Sequence, residues 1–191
     1  RTQIIKALEK LDAYNAKAVG IDILFSSYDS SETDLALKEQ IQQMQSIVLA
    51  SILGDYDQDA QSFAPMNGCA PEICENVSRG YINFVAKPDH TIRHFSTTEI
   101  TKEGKELAFA VKLLEKSDPG KGSHLLAQHN SLERINYKGN KGSFLFYEMD
   151  QFLSDNVDLK EIFEGNIVLM GYTGEADGLS SRDKFYTPLN S

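Results

Sequence analysis

The chain has 191 residues, 41% hydrophobic and 25% charged, a globular composition long enough to bury a core within one ordinary domain. Its 19 Lys and Arg against 28 Asp and Glu give a formal charge of −9 and a pI near 4.9. An acidic chain without a Lys/Arg cluster is repelled by phosphate backbones and anionic lipid, which argues against nucleic-acid and peripheral membrane binding. No apolar run reaches the roughly 18 residues that cross a bilayer; the longest, Ile47 to Leu53 and Ile167 to Gly171, have the length of buried strands. There is no signal peptide, and the opening Arg1-Thr2-Gln3 runs straight into a helical pattern. The chain therefore reads as one domain, 1–191, trimmed at both ends from a longer protein.

In chain order, Ile4, Ile5, Leu8, Leu11 and Tyr14 recur at three- and four-residue spacing and predict an amphipathic helix, with Asn15 suited to its end. Ala18 to Phe25 is apolar on both faces except at Asp22, the pattern of a strand buried on two sides. Ser31-Glu32-Thr33-Asp34 reads as a helix start, a Ser cap with acids in the first turn, and Leu37, Ile41 and Met44 give that helix its stripe. Ile47 to Leu53 is a second buried strand. Two such strands joined by a helix predict a right-handed crossover in a parallel sheet.

Asp55 to Ser78 shows no usable periodicity, and a stretch that long without structure is commonly functional or stapled. Gly80 to Val85 and Ile92 to Ile100 read as the strands of a hairpin around Lys87-Pro88-Asp89-His90-Thr91. Leu107, Val111 and Leu114 mark a third helix, ended by Ser117-Asp118-Pro119-Gly120. A short strand at Glu133 to Lys138, a turn at Gly139 to Gly142 and short helices at Tyr147 to Leu153 and Leu159 to Phe163 follow. The last strand is Asn166 to Tyr172. The fold class expected is α/β: three layers, a mostly parallel mixed central sheet with a β-hairpin insertion, and helices on both faces.

The residues offer little catalytic chemistry. Asp22 is the most informative, because a carboxylate in the middle of an apolar strand is costly unless paired. It either contacts a ligand or cation near the carboxyl end of the sheet or meets a structural partner such as Arg93 or loop amides. Asp34 is accounted for by the helix dipole alone. Arg93 suits an anchor from the hairpin to Asp22 or Asp183. His90 and His94 lie about 13 Å apart on a strand, too far for one zinc. Asp177 and Asp183, with Gly174 and Gly178, do not match a calcium loop, and the chain has no phosphate loop, nucleophile elbow or zinc-protease motif. Cys69 and Cys74 make a poor metal pair; they suit a short disulfide, the alternative being two free thiols in a loop. A bridge so local contributes less than about 3 kcal/mol.

Four segments resemble the type-two CHASE family, the cyclases/histidine kinases associated sensory extracellular domains. They are Gly20-Ile21-Asp22-Ile23-Leu24-Phe25 with Asp34 and Leu35; Gly80-Tyr81-Ile82-Asn83 followed by Asp89-His90-Thr91-Ile92-Arg93; Ile135-Asn136-Tyr137-Lys138-Gly139; and Gly165 to Gly171 followed by Asp183 to Leu189. In order and spacing they span nearly the whole chain. His90 stands where the family has Gly, and Lys138 replaces an Arg, losing a bidentate grip on anions. The chain also stops at Ser191, before the helix that follows the Thr-Pro motif in that family.

The resemblance implies the extracytoplasmic (periplasmic) sensory domain of an inner-membrane bacterial receptor, not itself an enzyme, with a cytoplasmic kinase or nucleotide cyclase as output. An oxidising compartment favours the Cys69–Cys74 bridge. The candidate ligand residues are Asp22, Asp34, Arg93 and Asp183; no metal or cofactor is expected. The partner is a small ligand or a periplasmic protein, and the receptor can act as a homodimer. The alternative is a protein-interaction or dimerisation module without a small ligand, its first helix pairing across a two-fold axis; a hydrolase is disfavoured by the missing nucleophile set. Intact mass after alkylation of the denatured, unreduced chain is expected to show no adducts, and two adducts would refute the bridge.

Overall fold

The computed structural model describes residues 1–84, 91–128, 131–139, 141–154, 156, 158–172 and 187–188. Helix α1, Thr2–Ala13, buries Ala7, Leu8 and Leu11, the stripe expected from its spacing, and ends where Asn15 takes a left-handed φ of 54°. Strand β1, Ala18–Asp22, leads through a loop to α2, Glu32–Gln43, and then to β2, Ile47–Ser51. The Ser31 hydroxyl accepts from the Asp34 amide and caps α2 as the sequence predicts.

The loop region after β2 carries more structure than its lack of periodicity suggests. It contains the two-residue strands β3, Tyr56–Asp57, and β4, Ser62–Phe63, and one turn of helix, α3, Pro71–Cys74. Strands this short leave no repeat to detect. Between β3 and β4 the chain turns on Asp57, whose carboxylate accepts from the Asp59 and Ala60 amides.

β5, Arg79–Tyr81, runs parallel to β2, and the final strand β10, Ile167–Gly171, runs parallel to β1. The central sheet thus has the order β10-β1-β2-β5, parallel throughout. The described parts of the predicted hairpin also take other pairings. Its first arm is β5, committed to the central sheet, while β6, His94–Ser96, pairs antiparallel with β9, Leu132–Arg134. A hairpin joins β7, Thr98–Thr101, to β8, Gly104–Leu107, which extend β3 and β4 into a second four-stranded sheet. Gly104, at φ +132°, takes the backbone shape that its turn requires. Residues 87–90 of the predicted turn lie outside the described residues.

α4, Phe109–Ser117, does not end the helical region as Ser117-Asp118-Pro119-Gly120 suggests. Asp118 starts α5, Pro119–Leu126, by accepting from the Lys121 amide, with Pro119 in the first turn where a missing N–H costs nothing. The two glycines of α5 lower its helix propensity, but Gly122 packs against Glu115 of α4, where an added Cβ would come within 3.0 Å of the Glu115 Cα. A 3₁₀ turn at Lys141–Ser143 precedes α6, Met149–Leu153, which opens on a Glu148–Gln151 capping box. α7, Lys160–Phe163, then feeds β10, and Phe163 packs with Tyr14, Tyr147 and Phe152 in one aromatic group.

Strand alternation divides the core in two. Val19, Ile21, Ile47 and Leu49 face α1, α2 and Phe152, while Ala18 and Val48 face Leu113 and Phe109 of α4. Each fully buried Leu or Ile contributes about 1.5–3 kcal/mol. On the α4 side the sheet is lined by small residues. A Cβ on Gly80 would lie 2.5 Å from the Phe109 Cα and 2.7 Å from its nitrogen, and one on Gly20 would lie 2.7 Å from the Phe109 ring. Gly80 faces immovable backbone and Gly20 the ends of side chains. Gly80→Ala is therefore expected to lower stability by about 2–3 kcal/mol and Gly20→Ala by less, read as a shift in urea midpoint at constant slope.

Candidate sensory surface at the carboxyl end of the sheet

The four parallel strands end together at Asp22, Ser51, Tyr81 and Gly171, and open α/β sheets bind their ligands beyond such ends. Asp22 is not in the middle of its strand: it is the last residue of β1, paired in register with Gly171, and its side chain is exposed. The parallel ladder stops there, and Phe25, expected within the strand, is buried as part of the following loop. The large desolvation cost that made Asp22 conspicuous is thus avoided, and the carboxylate lies at the rim where a ligand could meet it.

Asp34 is the buried acid, 2% exposed. One carboxylate oxygen pairs with the Arg1 guanidinium and the other accepts from the Asp29 amide at 2.9 Å. Arg1 also donates to the Ser27 carbonyl at 2.7 Å. The helix dipole is therefore only part of the reason for an acid at this position; most of its capacity is spent on bracing the loop after β1. Asp29 accepts from the Ser31 amide, which holds its carboxyl below the usual carboxylate value.

Arg93 flanks β6, its carbonyl accepting from the Ile135 amide, and its interactions are not exhausted by that bond. Asp177 and Asp183, with Gly174 and Gly178, lie outside the described residues. Asp22 and Asp34 do not combine into one acidic site. Asp22 shares the α4 side of the sheet with Ala18 and Gly20, whereas Asp34 belongs to the opposite helical layer. Among the described residues no group of three or more His, Cys, Asp or Glu side chains converges.

The loop after β2 is stapled beside the loop after β1. Cys69 and Cys74 form a disulfide with Cα atoms 6.2 Å apart. Next to it the Ala70 amide donates to the Phe25 carbonyl at 2.7 Å, and Ile52 and Asn67 exchange backbone bonds of 3.0 and 2.8 Å. Beneath these loops the Ser51 hydroxyl is fully buried and, among the described residues, meets no hydrogen-bond partner. On the outer side, an open groove of about 330 Å³ separates the first turns of α1 and α2, with Ile5 and Ala36 among its apolar lining and Lys6, Glu9 and Glu32 among its charged lining.

The Gly80–Asn83 segment also acts structurally. Gly80 admits α4, the Tyr81 hydroxyl donates to the Ser96 carbonyl at 2.6 Å, and the Asn83 side chain accepts from the Leu53 amide at 2.7 Å. The Tyr137 hydroxyl likewise donates to the Ile92 carbonyl at 2.8 Å. These contacts, and the part played by Arg1, carry no local signal in the sequence, because each joins segments far apart in the chain.

At the open end of this parallel three-layer α/β architecture, polar residues brace the loops. The family model described as the CHASE2 domain matches residues 1–190, and the chain belongs to that family. CHASE2 domains are extracellular sensory domains of bacterial signalling receptors. No curated protein and no solved structure matches the chain. Among the described residues, no helix is long and apolar enough to cross a membrane.

Burial lifts the Tyr81 phenol above its ordinary value of 10, partly opposed by its bond to Ser96, and partial burial lifts Tyr137 as well. The folded state holds these protons more tightly than the unfolded chain. Their stabilisation is complete below the unfolded value of 10 and is lost as pH rises above it. The urea midpoint should therefore fall above about pH 10. Tyr81→Phe should lose about 1 kcal/mol at neutral pH and flatten part of that alkaline slope.

Proposed function

We propose that this chain is the periplasmic input domain of an inner-membrane receptor. It receives a small ligand or a periplasmic protein at the carboxyl end of the central sheet and biases a cytoplasmic kinase or nucleotide cyclase. The observation that carries this reading is the convergence at that end. The stapled loops after β1 and β2, the exposed Asp22, the first turn of α1 and the exit of β10 share one edge of the fold. A stimulus at those loops acts on the first turn of α1, because Arg1 ties that turn to the Ser27 carbonyl and to Asp34. A ligand shifts output only by its differential affinity for two receptor states, so its contacts must include a part of the structure that differs between them.

A second reading, an interaction or dimerisation module, is favoured by β10. Ile167 and Leu169, 50% and 69% exposed, lie on the face of this edge strand that α4 leaves uncovered.

Thermal denaturation against pools of small molecules separates the two. A true ligand at 100 times its Kd adds about 2.7 kcal/mol, a shift of roughly 5–10 °C for a chain of this size. The sensory reading expects such a shift from at least one pool, and its loss in Asp22→Asn. Blank pools together with self-association at micromolar concentration would favour the interaction module.

A further inference from the structure

The loop between β1 and α2 depends on one carboxylate. The Asp34 Oδ2 holds the Asp29 amide, the Asp29 side chain holds the Ser31 amide, and the Ser31 hydroxyl returns to the Asp34 amide, closing a ring of bonds of 2.9, 2.9 and 3.2 Å. Arg1 enters this ring from another element. Its side chain pairs with the Asp34 Oδ1 and donates to the Ser27 carbonyl, while its backbone carbonyl accepts the first helical bond of α1, from the Ile5 amide at 3.0 Å. Asp34 is 2% exposed, so its charge has little solvent to replace Arg1 if the two are drawn apart.

We propose that Arg1 and Asp34 form a latch that makes the first turn of α1 and the Ser26–Ser31 loop move as one unit, so that displacement of either is transmitted to the other. Its use in signalling rests on the sensory reading; its existence does not. An axial shift or rotation at the start of α1 must drag the loop and the first turn of α2 with it or break an ion pair whose carboxylate is buried. The lining of the α1–α2 groove includes Thr2, Glu32 and Thr33, the sequence neighbours of the two latch residues.

The test is residue-resolved amide hydrogen exchange on this chain. In Arg1→Gln, the Asp29 and Ser31 amides are expected to exchange at least tenfold faster while the Ile21 and Leu49 amides of the sheet keep their rates. In Asp34→Asn, the Ile5 amide is expected to accelerate by a similar factor, because coupling between two sites is reciprocal. Rates at Asp29 and Ser31 within twofold of the parent in Arg1→Gln would overturn the latch and leave Asp34 as a local brace of α2. Equal acceleration of the sheet amides would also overturn it, by showing general loosening in place of a local link. If Asp34→Asn does not fold, the Arg1→Gln arm decides alone, since Arg1 is 28% exposed and outside the hydrophobic core. Failure of every ligand pool would count against the sensory reading and leave these exchange rates unaffected.

Discussion

Burial of β1 and β2 on both faces sets the conditions for the rest of the structure. A strand covered on both sides must present each layer with a surface of suitable height, and α4 comes so close that the strands facing it carry Ala18, Gly20, Val48, Ala50 and Gly80. The opposite face carries Val19, Ile21, Ile47 and Leu49 and meets the larger side chains of α1 and α2. One layer packs through backbone proximity and the other through side-chain volume. The glycines at 20 and 80 are thus consequences of the three-layer arrangement.

With the faces closed, chemical variation is confined to the strand ends. At the carboxyl end the loops are too long to be held by local turns, and each is fastened by a different means. The loop after β1 hangs on Asp34 and Arg1, and the loop after β2 on a disulfide and on backbone bonds to Phe25 and Asn67. The segment after β5 is fastened through Asn83 to Leu53. Polar side chains that look like ligand candidates in the sequence are divided by this requirement. Asp34 is committed to holding the fold, while Asp22 reaches the rim with its side chain exposed.

This division also explains what the sequence reveals. Helix α1, the Ser31 cap, β2 and β10 are legible because their signals are local: a three- to four-residue stripe, a cap three residues before its target, or an unbroken apolar run. α5 is hidden because Ser117-Asp118-Pro119-Gly120 reads as the end of a helix, although the Asp118 cap and the contact of Gly122 with Glu115 make the following residues a helix. The pairing of β5 with β2 is not legible, because nothing in three residues says which strand is their partner. The Arg1–Asp34 pair is illegible for a stronger reason: it spans the whole α1–β1 unit and exists only once the topology has brought both helix starts to one end of the sheet. Asp22 illustrates the converse error, since an apolar run past Asp22 overstates the strand when the following residues are buried as loop.

The same topology constrains how a stimulus can travel. A connection through the sheet would require movement of strands packed on both faces, which close-packed interiors resist. A connection along the rim requires only that loops and helix starts shift against the sheet, and those are the parts held by individual polar bonds and one short disulfide. Elements that move in regulation commonly come from the weakly held end of the stability range, and the loops held by individual bonds lie around the carboxyl edge. Around that edge, α1 is attached through an ion pair whose acidic member is sealed from water, so any change that reorganises the loop after β1 must also act on the first turn of α1.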